Sequence, residues 1–229
     1  MGTYDWVAPE FWADGKPAVF VAFDLETTGL EAKTARIAEI GAVKFDKRGP
    51  IARFSVMVDP GIPMPAEASR VNGITDAMLA GKPTIDEVLP DFVRFIEGAV
   101  VVAHNAKFDC SFVDAALAER FERARKAKAE DASQGSLLDA VRDEGADAVP
   151  AKPAWTPPYP AMPNRIVDTL AMAKEVFPGR WKYSLQELAK YLRIDAIDAH
   201  RAEDDARVCM ELFIKCAERS AGKEVPVSA

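Results

Sequence analysis

The chain has 229 residues and a mass of 25.0 kDa; it is 49% hydrophobic and 28% charged, with a net charge of −7 and a pI near 5.0. That length is ample for one domain with a substantial core and marginal for two, and no apolar run approaches the roughly 20 residues of a membrane span. The acidic balance argues against coating of nucleic acid by the whole surface, while leaving room for an enzyme whose metal ions neutralise an acidic pocket. Three cysteines (Cys110, Cys209 and Cys216), none in a C-x-x-C pair, suit a reducing compartment and argue against a thiolate zinc site. No Lys or Arg precedes Lys16, so the N-terminus fits neither a secretory signal nor an Arg-rich transit peptide, and a cytoplasmic protein is expected.

Val19 to Phe23 is all apolar and too short for a helix, so it reads as a strand buried on both faces. It ends in Asp24 and Glu26, whose spacing of two puts both carboxylates on one side of an extended backbone, with Cα atoms roughly 6 to 7 Å apart. Such a pair repels by about 2 to 3 kcal/mol at an effective dielectric near 20, a repulsion that a bound cation would relieve. Thr27-Thr28-Gly29 then offers hydroxyls and a flexible backbone position. Arg36 to Asp46 and Ile51 to Val58 are two further strands of a meander, joined by the turn Asp46 to Gly49. Pro60 to Pro65 is a loop, Thr75 caps a short helix to Ala80, and Thr84 with Glu87 forms a capping box for a helix that Gly98 terminates.

Ala99 to Ala103 is a second short apolar run, hence another central strand, followed by a helix from about Lys107. The apolar stripe of that helix is Phe112, Val113, Ala116 and Leu117; Asp109, three residues before Phe112, shares the inward face at the first turn. Asp114 falls between stripe positions and reads as solvated. From Phe121 to Pro163 the composition shifts. A basic cluster (Arg120, Arg123, Arg125, Lys126, Lys128) precedes a weak helix at Ser136 to Val141, and six prolines then occupy Pro150 to Pro163. This is read as an insertion whose basic part either follows a nucleic-acid backbone or is a solvated face, with Trp155 and Tyr159 anchoring it to the domain or to a partner. The domain resumes at Arg165; Asp168 caps a helix over Leu170 to Phe177, and Ser184 with Glu187 forms a second capping box. The last helix starts near Ala202 with an inward stripe of Val208, Cys209, Leu212 and Cys216, and Asp205 again places an acid on the core face of a first turn.

Four acids, Asp24, Glu26, Asp109 and Asp205, thus share one description, and hard carboxylate donors without thiolates select Mg²⁺ or Mn²⁺. Two such ions roughly 3.5 to 4 Å apart suit phosphodiester cleavage. Either histidine could serve as base: His200 lies just outside the last helix, five residues before Asp205, whereas His104 at a strand end suits a structural hydrogen-bonding role.

These residues carry a family resemblance. D-L-E-T-T-G-L at Asp24 to Leu30, H-N-A-K-F-D at His104 to Asp109 and H-R-A-E-D-D at His200 to Asp205 resemble the three motifs of the DnaQ-like 3'-to-5' exonucleases, in the DEDDh subgroup, and V-N-G-I-T at Val71 to Thr75 fits the same order of elements. The resemblance implies an α/β, RNase H-like fold with a central five-stranded mixed sheet flanked by helices. It implies metal ligation by Asp24, Glu26, Asp109 and Asp205, His200 as general base, and contacts to the 3'-terminal nucleotide from Thr27, Thr28, Gly29, Leu30, His104, Asn105 and Phe108. The expected domain layout is an extension at 1–17, an exonuclease domain at 18–219 with the insertion at about 121–163, and a tail at 220–229. The expected activity is release of nucleoside 5'-monophosphates from the 3' ends of single-stranded or frayed nucleic acid, DNA favoured, with a DNA polymerase subunit as a candidate partner. The alternatives are an exoribonuclease or a polymerase-associated binding subunit that does not depend on catalysis. Asn72 departs from the pattern, standing where many members of the family have His.

Overall fold

The computed structural model describes residues 19–138, 155–198, 200–225 and 227. Three strands open the chain as a meander, β1 (Phe20–Thr27), β2 (Ile37–Asp46) and β3 (Gly49–Met57). Helices α1 (Ala66–Asn72), α2 (Asp76–Leu79) and α3 (Ile85–Ile96) lead to β4 (Val100–Ala103), the long α4 (Lys107–Leu138), β5 (Ile166–Asp168), and then α5 (Thr169–Val176), α6 (Leu185–Tyr191) and α7 (Ala202–Ser220). The sheet order is β3-β2-β1-β4-β5, with β1 antiparallel to β2 and parallel to β4, so the mixed five-stranded sheet is as expected.

Central β1 is covered on both sides, and its period of two sorts its side chains between two cores. Phe20 and Ala22 join Val43 and Phe45 of β2 beneath α5, α6 and α7, whereas Val21, Phe23 and Leu25 pack with Phe92 of α3 and Val113 of α4. Asp24 and Glu26 continue the alternation of Phe20 and Ala22, so the same periodicity that builds the core carries two carboxylates to its rim beside α7. Against β2 the backbone of α7 approaches so closely that a Cβ on Gly41 would collide with the main chain of Ala202 and Glu203. Only glycine permits that contact.

Several local expectations change. Helix α1 was not foreseen, because its seven residues carry no clear apolar period. The basic cluster lies on α4, which runs unbroken through Leu138; Ser136 to Leu138 belong to it, and the rest of the helix expected at Ser136 to Val141 lies outside the described residues. So do the extension 1–17 and Pro150 and Pro153. Asp114 is half-buried rather than solvated, accepting a hydrogen bond from the Met162 N–H at 2.9 Å, and so pins the returning segment to α4. Ser184 is the N-cap of α6, but its side chain makes no capping hydrogen bond.

Candidate active site

Four acids from three chain segments converge at the C-terminal end of β1. Asp24, Glu26 and Asp205 each offer a carboxylate oxygen within 4.8 Å of the others. Asp205 reaches them from the first turn of α7, and Asp109 from the first turn of α4, where its Oδ1 accepts the Leu25 N–H at 3.1 Å. Burial raises the pKa of Asp24 well above the carboxylate range, reinforced by the charges of Asp109, Asp205 and Glu26. Burial likewise pushes Glu26 up to about 8, with Asn72 opposing, and Asp109 up to about 8. Asp205 is raised less, because the His200 N–H and Gln186 hydrogen-bond its charged form. Acids that resist ionisation together are short of positive charge. An all-oxygen donor set with this deficit fits hard divalent cations such as Mg²⁺ or Mn²⁺ and offers no thiolate or imidazole cage for zinc.

The surroundings hold these acids in place. The Gln186 amide nitrogen Nε2 donates to Asp205 Oδ1 at 2.6 Å, and the His200 N–H donates to Asp205 Oδ2 at 3.2 Å. His200 itself takes a left-handed backbone conformation (φ 67°) and its residue is exposed, which frees the imidazole beside the acid while its backbone is tied to it. Glu39 of β2 lies opposite Glu26 in the strand register, is only 2% exposed, and accepts from Arg201 at 2.7 and 3.2 Å and from the Ala202 N–H at 3.3 Å. Together with Gly41 it docks the start of α7 on the sheet. Asn72 donates to the Thr27 carbonyl at 3.4 Å and accepts from the Ile74 N–H at 3.1 Å. Glu39, Asn72 and Gln186 were not anticipated as supports of the site; their partners are remote in sequence, and no spacing announces them.

The expected nucleotide contacts divide into two groups. The Thr27 hydroxyl donates to the Gly29 carbonyl at 2.7 Å and the Thr28 hydroxyl accepts from the Arg36 N–H at 2.9 Å, fixing the turn that presents Leu30, 82% exposed, beside the acids. Asn105 is exposed with a positive φ of 62°, its N–H bound to Asp168 at 3.0 Å, and Phe108 is half-buried against Phe112. His104, also expected to contact the substrate, donates from Nε2 to the Tyr183 carbonyl at 2.8 Å, and its Nδ1 lies 3.0 Å from the Thr169 hydroxyl. Both ring nitrogens are thereby used, and burial lowers the pKa so that the ring stays neutral.

A mixed sheet of this order, with acids gathered at the end of its central strand and on two helix starts, defines an RNase H-like hydrolase of phosphodiesters. The exonuclease family model (RNase_T) matches residues 21–151 and 156–213. The chain is 43% identical over 212 residues to the DNA polymerase III subunit epsilon of Treponema pallidum (strain Nichols), covering 92% of this chain and 80% of that one. It is 33% identical over 200 residues to the PolC-type DNA polymerase III of Caldanaerobacter subterraneus, of whose length it spans 12%. In fold it resembles exonuclease X in complex with 5' overhanging duplex DNA, with a TM-score of 0.59 at 23% identity over 91% of this chain and 95% of that one. The chain belongs to the exonuclease family, as a DnaQ-like 3'-to-5' exonuclease.

Proposed function

We propose that this exonuclease removes nucleoside 5'-monophosphates from the 3' ends of DNA during replication, as the proofreading component of a DNA polymerase. The observation that carries this reading is the convergence of the Asp24, Glu26 and Asp205 carboxylates, with Asp109 buried at their side. Asp24, Glu26, Asp109 and Asp205 would hold two divalent cations, Mg²⁺ or Mn²⁺. When bound, these supply charge neutralisation and Lewis-acid polarisation of the scissile phosphodiester. The chain's own residues do the rest. The Thr27 to Leu30 turn seats the terminal nucleotide, with Leu30 against its base. A ring nitrogen of His200 takes the proton of the attacking water as its oxygen bonds to phosphorus. The bond from phosphorus to the 3' oxygen breaks with its electron pair, and that oxygen takes a proton from solvent, leaving a 3' hydroxyl on the shortened strand and the phosphate on the released nucleotide. Support for the DNA substrate and polymerase partner comes from the 43% identity to a polymerase III epsilon subunit.

The test is product analysis on 5'-labelled single-stranded DNA, mismatched duplex and RNA, with Mg²⁺, Mn²⁺ or chelator. Stepwise shortening of DNA with 5'-monophosphate release is expected, abolished by chelator and by Asp24→Asn. His200→Ala should depress kcat by about 10² to 10⁴ with little change in binding. Faster cleavage of RNA than of DNA would move the substrate assignment to RNA, and full activity in excess chelator would remove the metal role.

A further inference from the structure

The connection between α5 and α6 carries a feature that the active-site acids do not use. Trp181 is 95% exposed, the most exposed large hydrophobic side chain among the described residues. It stands between Arg180 and Lys182, and from Lys174 to Arg193 the chain has five cations against two acids although its net charge is −7. The segment is braced on both sides of the indole. The Arg180 guanidinium lies 3.5 Å from the Tyr191 ring centroid, the Tyr183 hydroxyl donates to the Phe177 carbonyl at 2.7 Å, and the same oxygen accepts the Arg180 N–H at 3.2 Å. Its far end belongs to the acidic centre: the Tyr183 carbonyl holds His104, and Gln186 holds Asp205.

We infer that Trp181, with Lys182, is a stacking platform for the substrate strand just upstream of its 3' terminus. Trp181 is two residues from Tyr183, so its Cα lies within about 7 Å of that residue's. The segment that carries the indole is thus tied at Tyr183 to His104 and at Gln186 to Asp205, one of the clustered acids. An indole left in water between Arg180 and the exposed Lys182 matches how single strands are held without regard to sequence: a base stacks on the ring while its phosphate meets the charge. Bracing of the loop lowers the ordering entropy lost on contact. A protein surface is the competing occupant, but the local excess of positive charge on an acidic molecule favours a polyanion.

This inference rests on the exonuclease reading of the same site, so the experiment separates the two. Kinetics are measured for the full chain on a single-stranded DNA oligonucleotide and on the p-nitrophenyl ester of thymidine 5'-monophosphate, which has no upstream nucleotides. Hydrolysis of both by the unaltered protein tests the activity alone; the variants test the platform. Trp181→Ala should raise KM on the oligonucleotide about tenfold, the size of one lost base stack, leave the ester within about twofold, and be largely rescued by Trp181→Phe. Lys182→Gln should reduce the slope of log binding constant against log salt by about 0.7, the loss of one phosphate contact on a single strand. Unchanged oligonucleotide kinetics in Trp181→Ala would overturn the inference. Equal loss on both substrates would overturn it too, by assigning Trp181 to the architecture of the site, as would unchanged kinetics with weakened binding to a polymerase subunit, which would make the indole a protein contact.

Discussion

Glu26 and Asp109 give the site its dependence on pH. Burial is the first cause of both shifts, from 4.5 and 3.8 respectively to about 8. In the unfolded chain both carboxyls ionise near pH 4, whereas in the folded, metal-free protein they keep their protons until about pH 8. At these two groups the folded state therefore binds more protons across that interval, and their contribution to stability is fullest below pH 4 and falls as pH rises towards 8. Divalent cations require the ionised form and oppose the trend. Melting curves in chelator from pH 5 to 8 should descend, and Mg²⁺ should raise Tm most at pH 8. A flat chelator series would show that the four acids are relieved by something other than a metal. At this scale the sequence was informative where function repeats a local pattern: Asp24 and Glu26 by a spacing of two, Asp109 and Asp205 by sharing an apolar helix face. It marked Asn72 only as a departure from the family pattern and was silent on Glu39 and Gln186, because each acts on a segment brought close only by folding.

Among the elements, α7 governs the geometry of the site. It carries Asp205, follows directly on His200, and is held on β2 by Gly41 below and by Glu39 through Arg201 and the Ala202 N–H. Gly41→Val should lift the helix start off the strand at an overpacking cost of about 1 to 3 kcal/mol, or roughly 3 to 10 °C in Tm. Activity should fall further than stability explains, because a carboxylate displaced by 1 Å is worth about a hundredfold in rate. Thermal unfolding and single-turnover rates on one variant test both; a full rate at reduced Tm would show that the contact is merely structural. The apolar stripe identified α7 from sequence, but the closeness of its approach to β2 could not be read there. A glycine inside a strand says only that some backbone comes near.

Across the whole molecule, the three arginines in the basic stretch of α4 are engaged within the protein. Arg120 donates to the Trp155 carbonyl at 2.7 Å and to the Asp86 carbonyl at 2.8 Å, Arg123 forms a two-pronged pair with Asp86, and Arg125 bonds Glu122. Trp155 and Tyr159 pack against the core shared by α3 and α4, so their anchoring is to the domain itself. Charge composition alone could not separate such cations from substrate-binding ones, since the acid that engages two of them sits on a different helix. Arg120→Met should loosen the returning segment, seen as faster proteolysis near Trp155, while the salt dependence of DNA binding stays as it was. A changed salt dependence would return the stretch to the substrate path.

The seating of α7 across β1 and β2 also bears on when the protein becomes dangerous. β1 contributes Asp24 and Glu26 early in the chain, and α7 contributes Asp205 near the end of its described part, so the centre is built from one of the longest-range contacts in the molecule. Such contacts form late, after the entropy of closing a long loop has been met. During synthesis the first two acids leave the ribosome long before the helix that completes them. A nascent or truncated chain lacking α7 therefore has no assembled cluster of acids, and the cutting activity is expected only when the fold is finished.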